Sequence, residues 1–412
     1  MSAADFKILI IGAGPAGCAT ALRLSNLGIS STIVDKAIFP RDKICGDALS
    51  GKVIAVIKLL NPDWVNEIAK SEKHVGSYGV VFTSPNGAKL RLPFGKVVPG
   101  NPAPGFVSKR LDFDNWLIEK VKQRDNIELL ENTEIRHYQK SNDGWIATTK
   151  DGREIQASFI IAADGAYSTF TKDIAKIPTE AEHNCYGLRA YYKGVRNMDA
   201  ENFIELHFIK DLLPGYFWIF PLPNGEANVG LGIRADYQKK KNLNLKKELF
   251  RILESHPQFK ERFHNAILID EVKLFGLPLG SKKRKLFGEN YLLTGDAAML
   301  IDPFTGEGIG NAMVSGLAAA DALAEYIKSA NINSLTHYQK TIERKLWSEL
   351  QLSHKLQQLA NYPMLFNFVV KTASSNKAIQ DTFSAMFYDV NIRAKLKSPK
   401  FYLQLLFSSF KS

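Results

Sequence analysis

Lys7-Ile8-Leu9-Ile10-Ile11-Gly12-Ala13-Gly14-Pro15-Ala16-Gly17 is the stretch on which the reading of the chain turns. The run Ile8 to Ile11 is uniformly apolar, which suits a parallel strand buried on both faces. It leads directly into Gly-x-Gly-x-x-Gly. In that spacing the first glycine permits a tight turn and the second lets a pyrophosphate approach the backbone. The third allows a helix to pack closely on the strand. From Ala16 to Leu27, residues Cys18, Ala21, Leu22 and Leu24 recur at helical spacing, so a helix N-terminus presents its unpaired N–H groups to phosphate. Ser31 to Val34 is a second short strand. Asp35 closes it, 18 positions after Gly17, where an acidic side chain can hold a pair of ribose hydroxyls. The unit is a βαβ dinucleotide site, and these residues alone do not separate FAD from NAD.

Outward from this unit the chain changes character. From about Val75 to Leu92 and from Asn184 to Ile233, strand-like stretches alternate with Gly, Pro and Asn, among them Phe203–Phe208, Tyr216–Phe220 and Ala227–Ile233. That pattern predicts an antiparallel sheet distinct from the βαβ part. Leu111–Lys122 reads as helix and Phe159–Ala163 as another buried strand. Tyr291–Thr294 reads as a short strand, followed by a Gly-rich loop and an Ala-rich helix from about Gly310 to Ile327. Beyond Ser334, Leu335, Tyr338, Ile342, Leu346 and Leu350 fall at helical spacing, with breaks near Pro363 and Pro399.

Two later motifs each follow an apolar strand: Ala163-Asp164-Gly165-Ala166, and Leu293-Thr294-Gly295-Asp296-Ala297-Ala298. The second runs on through Asp302-Pro303-Phe304-Thr305-Gly306-Glu307-Gly308-Ile309-Gly310. Together with the glycine turn, these resemble the flavoprotein group of aromatic hydroxylases, flavin-dependent halogenases and geranylgeranyl reductases. The resemblance implies FAD, with Asp296 on the ribityl chain and the backbone of Gly308 and Ile309 at the flavin N1/O2 edge. A helix N-terminus beginning after Gly306 would stabilise the negative charge that a reduced flavin carries there. Arg110-Leu111-Asp112-Phe113-Asp114 matches the group's Arg-x-x-Phe-Asp pattern, which lays the arginine along the FAD. A surface arginine at a helix start is the other reading.

Two segments favour the geranylgeranyl reductase branch. Phe39-Pro40-Arg41-Asp42-Lys43-Ile44-Cys45-Gly46-Asp47-Ala48 is similar to that family's Cys-Gly segment beside the flavin. Tyr216-Phe217-Trp218-Ile219-Phe220-Pro221, followed by Asn228-Val229-Gly230, resembles its Tyr-x-Trp-x-Phe-Pro…Val-Gly signature. The resemblance covers most of residues 6–326. It implies a cofactor-binding set of Gly12, Gly14, Ala16, Gly17, Asp35, Lys36, Arg41, Cys45, Gly46, Ala48, Arg110, Asp164, Asp296, Gly306, Gly308 and Ile309. On a strand, Tyr216, Trp218 and Phe220 share one face and can line an apolar tunnel whose polar tips fix a head group. Core packing is the alternative for the same three rings. Adding hydride to an alkene requires a proton for the other carbon, for which Cys45 is a candidate, with a small packing residue as its other reading; Cys45, Tyr216 and Trp218 form the candidate catalytic set. His74, His183, His207 and His354 stand alone and are read as structural.

Composition bounds the rest. With 45% hydrophobic and 23% charged residues over 412 positions, the chain is an ordinary globular one, long enough for two domains. No targeting segment or spanning apolar run is visible, and a cytoplasmic protein, peripheral to membrane at most, is expected. Cys18, Cys45 and Cys185 lack disulfide or zinc spacing, so no metal is expected. The net charge is +11, and residues 331–412 hold 11 Lys and Arg against 4 Asp and Glu. No nucleic-acid module accompanies this charge. Arg393, Lys395, Lys397 and Lys400 precede an apolar segment, Phe401 to Phe410, the pattern of an interfacial anchor; packing on the FAD domain is the alternative.

The expected architecture is α/β: a Rossmann-like FAD-binding domain in segments 1–74, 101–182 and 286–330, an antiparallel substrate domain in 75–100 and 183–285, and a helical region at 331–412. The expected function is FAD-dependent reduction of carbon–carbon double bonds in an isoprenoid or other apolar substrate. An external donor re-reduces the flavin, with NAD(P)H as a candidate. An NAD(P)H- and FAD-dependent monooxygenase or halogenase acting on an aromatic or polyketide-like compound is the alternative.

Overall fold

The computed structural model describes residues 6–94, 100–329, 331, 333–377, 380 and 381. The proposed anchor at Arg393–Phe410 and the break at Pro399 lie outside them. Ile8–Ile11 forms the middle of a six-stranded sheet ordered Phe287–Gly288, Tyr291–Leu293, Phe159–Ala162, Ile8–Ile11, Ser31–Val34, Ile127–Leu130. Every pair is parallel except the antiparallel edge pair Phe287–Gly288 with Tyr291–Leu293. Helices cover the sheet, and for that reason the central strand has no polar position: its four residues are buried.

Helix Pro15–Asn26 packs against helix Ile309–Ser329 through small residues. A side-chain carbon on Gly316 would lie 2.4 Å from the Ala16 carbonyl oxygen, so only glycine fits that crossing. The Thr20 hydroxyl, 2.8 Å from Ala16 O and 3.2 Å from Gly316 O, satisfies the backbone there. The close approach accounts for the Ala-rich composition of the later helix. It also brings the two glycine loops, distant in sequence, to one end of the sheet.

A second, eight-stranded sheet takes strands from both middle stretches, in the order Ile267–Leu268, Asn184–Lys193, Glu226–Arg234, Tyr216–Pro221, Ile204–His207, Gly79–Thr83, Lys89–Pro93; Lys273–Pro278 also pairs with Asn184–Lys193. It is antiparallel apart from the parallel contact between Ile204–His207 and Gly79–Thr83. Alternation gives it two faces. Phe217, Ile219, Val229 and Leu231 pack under helix Leu245–Ser255. Leu206, Trp218, Phe220 and Phe82 face the opposite way, toward Phe304 and Phe366. A three-stranded meander, Ile135–Ser141, Gly144–Thr149 and Glu154–Ala157, is not signalled by the sequence pattern, because its first strand is mostly exposed and polar. Trp145 Nε1 donates to Asn290 O at 3.0 Å and ties it to the edge of the first sheet.

The stripe Leu335, Tyr338, Ile342, Leu346 and Leu350 is buried throughout, and the Tyr338 hydroxyl donates to Leu293 O at 2.6 Å. The C-terminal region as far as Leu350 therefore belongs to the same core as the FAD-binding sheet, whereas Phe366 and Val370 further on pack with the second sheet. Pro363 opens helix Pro363–Ser375 in its first turn, the one helical position where a missing N–H costs nothing. Among the described residues no helix is long and apolar enough to cross a membrane, and no group of His, Cys, Asp and Glu could hold a metal ion.

Candidate active site

The three glycines of the first turn do different work. Gly12 has φ +100°, and a side-chain carbon there would lie 2.4 Å from Ala163 O; one on Gly17 would lie 1.9 Å from Gly12 O. Both positions are closed by backbone. At Gly14 nothing approaches nearer than Arg41 Nη2, at 3.8 Å, so the turn is open there, on the side where a pyrophosphate would lie. Asp35 accepts from Ala13 N at 2.8 Å and Ala37 N at 2.9 Å, holding the turn while each carboxylate oxygen keeps a second lone pair for a ribose hydroxyl. Lys36 is exposed.

Arg110 is buried, and its Nε and Nη2 each donate to Asp114 at 2.6 Å. The fork that would suit phosphate is thus taken by a carboxylate. Arg41 Nη1 meets the same Asp114 at 2.5 Å while its other nitrogen faces Gly14. Burial acts to raise the Asp114 carboxyl, but Arg110 and then Arg41 hold it below its usual range. Arg41 is the cation nearest the open turn, and the Arg110–Asp114 pair fixes its position.

At the carboxyl end of Tyr291–Leu293 the chain turns through Gly295, where a side-chain carbon would lie 3.0 Å from the Ala16 methyl. Asp296 follows, 3.0 Å from Lys43 Nζ. Gly308 is its neighbour: a carbon on Gly308 would lie 3.6 Å from Asp296 Oδ1. Asp302 Oδ1 accepts from the backbone of Phe304 and Thr305 and from the Thr305 hydroxyl, which folds the loop back. Gly306 adopts φ +74° beneath the Tyr216 hydroxyl, which donates to Thr305 O at 2.7 Å. Asp164 ends the Phe159–Ala162 strand; burial pushes its carboxyl up to about 6, and its Oδ1 has no partner.

These loops open into one cavity of about 840 Å³. Of the residues expected to hold cofactor, Gly14, Ala16, Cys45, Gly46, Ala48, Arg110, Asp296, Gly306, Gly308 and Ile309 line it. Gly12, Gly17, Asp35, Lys36, Arg41 and Asp164 lie behind or beside it. An open glycine turn, an orphaned buried carboxylate oxygen and a helix N-terminus fit a dinucleotide whose flavin end enters the cavity.

The far wall is the second sheet. Trp218 packs against the backbone of Gly230, where a side-chain carbon would lie 2.1 Å from Leu188 O and 2.3 Å from the indole. The glycine after Val229 is therefore required by the neighbouring strand's carbonyl as well as by the tryptophan. Trp218 Nε1 donates to Asn228 Oδ1 at 2.8 Å; Asn228 Nδ2 donates to Cys45 O and to Asp47 Oδ2, both at 2.8 Å; the Tyr191 hydroxyl donates to the same Oδ2 at 2.7 Å. Asp47 is fully buried, and burial pushes its carboxyl up to about 6, against the hydrogen bonds of Tyr191 and Asn228. Its Oδ1 has no partner. Arg189, also fully buried, lies 3.9 Å from the centre of the Tyr191 ring and 2.5 Å from Asp42 Oδ2. Cys45 lies on the wall beside the Arg110 guanidinium, its thiol raised by burial. Cys45 and Asp47 sit in the segment already singled out. Nothing local marks Asp47, Tyr191 and Asn228 as partners, because Asp47 and Asn228 meet across 181 residues of chain. Arg189 had a signal: it is the one charged residue between Gly187 and Tyr191 on a face otherwise small and aromatic.

The histidines stay outside the cavity lining. His183 and His354, alone in sequence, face one another with ring centres 6.4 Å apart, and His207 Nε2 meets Glu205 at 2.9 Å.

A family model described as an FAD binding domain matches residues 5–352. The chain belongs to this family. It is an FAD-dependent oxidoreductase, and FAD is its cofactor. Digeranylgeranylglycerophospholipid reductase 2 of Methanopyrus kandleri is 29% identical over 371 residues, 86% of each chain. Menaquinone reductase of Mycolicibacterium smegmatis is 28% identical over 325 residues, 77% of this chain and 76% of that protein. A geranylgeranyl bacteriochlorophyll reductase-like structure from Thermoplasma acidophilum superposes with a TM-score of 0.77 over 95% of this chain and 98% of that one. At 22% identity it is a likeness of fold.

Proposed function

We propose that this flavoenzyme reduces carbon–carbon double bonds in the polyprenyl chain of an amphiphilic substrate, with an external donor such as NAD(P)H returning electrons to the flavin. The observation that carries the reading is the single cavity that joins the cofactor loops to an apolar chamber. One side of that chamber is Val80, Phe82, Leu206, Trp218 and Phe220 of the sheet. The other is Leu352, Leu356, Phe366 and Val370 of the C-terminal helices. A chamber of this size and polarity suits a long hydrocarbon, and the relatives named for reductases of prenylated lipid and quinone agree with it.

FAD held here and reduced by the external donor would supply hydride to one alkene carbon. The second carbon needs a proton. Tyr216 has committed its hydroxyl proton to Thr305 O, and Tyr191 has committed its own to Asp47. Cys45, its thiol raised by burial, keeps a proton at Sγ near neutrality. Cys45 is the proposed donor, Arg110 steadies the thiolate left behind, and solvent reprotonates it. The basic C-terminal region is proposed to keep the enzyme at the membrane that holds such substrates. The test is turnover with prenylated quinones and prenylated glycerol ethers, following product mass together with oxygen uptake. Gain of two hydrogens per double bond is the expected product. Gain of one oxygen, or halide incorporation, would replace the reading with monooxygenase or halogenase chemistry.

A further inference from the structure

The last described helix is two-sided in an unusual way. Phe366 and Val370 of Pro363–Ser375 point into the cavity, with the Phe366 ring 4.7 Å from that of Phe208. On the other side Met364 is 88% exposed, Leu365 48% and Phe368 37%, with Tyr362 at 66% just before the helix. Four large apolar side chains within seven residues form a contiguous exposed patch. A protein surface seldom leaves such a patch uncovered without a partner.

The patch follows directly on a helix that lines the chamber, Tyr362 N donating to Leu359 O at 2.9 Å. Leu59 lines the cavity and is itself 56% exposed. It lies on helix Gly51–Leu60, which faces helix Ser348–Leu359 across the Lys52–Glu349 ion pair. Leu359, three residues before the patch, also lines the cavity. The patch's own stretch of chain carries one sign of charge: residues 351–377 contain Lys355, Lys371 and Lys377 and no Asp or Glu. Apolar side chains on a stretch whose charged residues are all lysines complement a lipid surface with anionic head groups. A second copy of a basic face would be repelled by it.

We propose that Tyr362, Met364, Leu365 and Phe368 insert into the interface of an anionic bilayer, so that a polyprenyl chain passes from the lipid between Leu59 and Leu359 to the flavin. This rests on the reading of the chamber as a chain site, and it assigns the contact to a surface separate from the basic tail. The two are separable, because the test needs no substrate.

The experiment is flotation of the full-length holoenzyme with vesicles of phosphatidylglycerol and phosphatidylcholine, and with phosphatidylcholine alone, at about 0.1 M and about 0.5 M salt. The double variant Met364→Glu, Leu365→Glu is compared with the natural chain. Because both side chains point outward, FAD content and the far-ultraviolet spectrum should be unchanged. The natural chain should float with anionic vesicles, less so at high salt, and the variant's partition coefficient should fall roughly tenfold or more. Lys371→Glu should weaken binding only at low salt. Equal flotation of variant and natural chain would overturn the proposal and leave the tail as the anchor. Failure of the natural chain to float would overturn it too, without touching the reductase reading. A dimer in sedimentation velocity that the double variant dissociates, with flotation unaltered, would assign the patch to a second copy instead.

Discussion

Asp47→Asn removes one ionisable group from the cavity wall while keeping its shape and its acceptor. The amide oxygen can still receive the Tyr191 hydroxyl and Asn228 Nδ2, and the amide nitrogen takes the place of Oδ1, which has no partner. What changes is titration. Burial lifts the Asp47 carboxyl to about 6 in the folded protein, against about 3.9 in an unfolded chain. The folded state therefore binds this proton more tightly, and the group destabilises the fold as pH rises through that window. Below pH ~4 both states are protonated and the cost vanishes; above pH ~6 it is complete. About two units at ~1.36 kcal/mol each give ~3 kcal/mol. Urea unfolding of the natural holoenzyme and of the Asp47→Asn variant, at several pH values between about 4 and 7.5, isolates the effect, since carboxylates remote from Asp47 cancel in the difference. The variant should gain on the natural protein by ~3 kcal/mol across that range, whatever fixed offset its extra amide hydrogen introduces. A difference between the two proteins that stays level with pH would show that Asp47 ionises normally and that the buried network is misread.

Other expectations follow from the same wall. Asp296→Ala should weaken FAD binding by about tenfold to a hundredfold, measured by equilibrium dialysis, for loss of a charge-assisted partner of the sugar chain. An unchanged Kd would remove Asp296 from the cofactor site. Extraction of the natural protein should release FAD and no FMN, because the Gly12–Gly17 turn and Asp35 are arranged for an adenosine diphosphate half. Trp218→Ala should raise KM for substrate with FAD content nearly intact. Loss of flavin in this variant would make Trp218 a packing residue. Asn228→Ala strips Asp47, Cys45 O and Trp218 Nε1 of a partner at once and should cost the fold ~2–4 kcal/mol in chemical denaturation.

The difference between what could and could not be read from sequence is one of range. Gly12, Gly17 and Ile8–Ile11 were legible because their spacing and the unbroken apolar run form one local pattern, although Ala163 O closes Gly12 from far along the chain, and the period-two and period-3.6 stripes announce their buried faces. Asp296 and Gly308 were legible only through resemblance to a family pattern, and the structure supplies the reason for that pattern: the Ala16 methyl beneath Gly295, and Gly316 on the Ala16 carbonyl, draw the second loop onto the first. Trp218 and Gly230 belong to one signature whose cause is invisible in sequence, the approach of the indole and of Leu188 O to bare backbone. Asp47 with Asn228 and Tyr191 was beyond reach, since a hydrogen-bonded acid has no periodicity and its partners lie on other strands. The meander at Ile135–Ala157 leaves a weak pattern for another reason: its first strand is mostly exposed and polar, and the buried alternation of its second, Trp145, Ala147 and Thr149, includes a polar and a small residue. The apolar chamber stands between these cases. Its sheet side was visible as an aromatic row, but its helix side was visible only as a core stripe. Leu352, Leu356 and Phe366 line a cavity and Leu335, Tyr338 and Leu350 fill a core, yet both sets are apolar at helical spacing. Sequence registers that a helix face is dry; whether packed protein or a cavity lies against it depends on what the opposing sheet brings there, and the residues that decide it, Phe82, Leu206, Trp218 and Phe220, are far away in the chain.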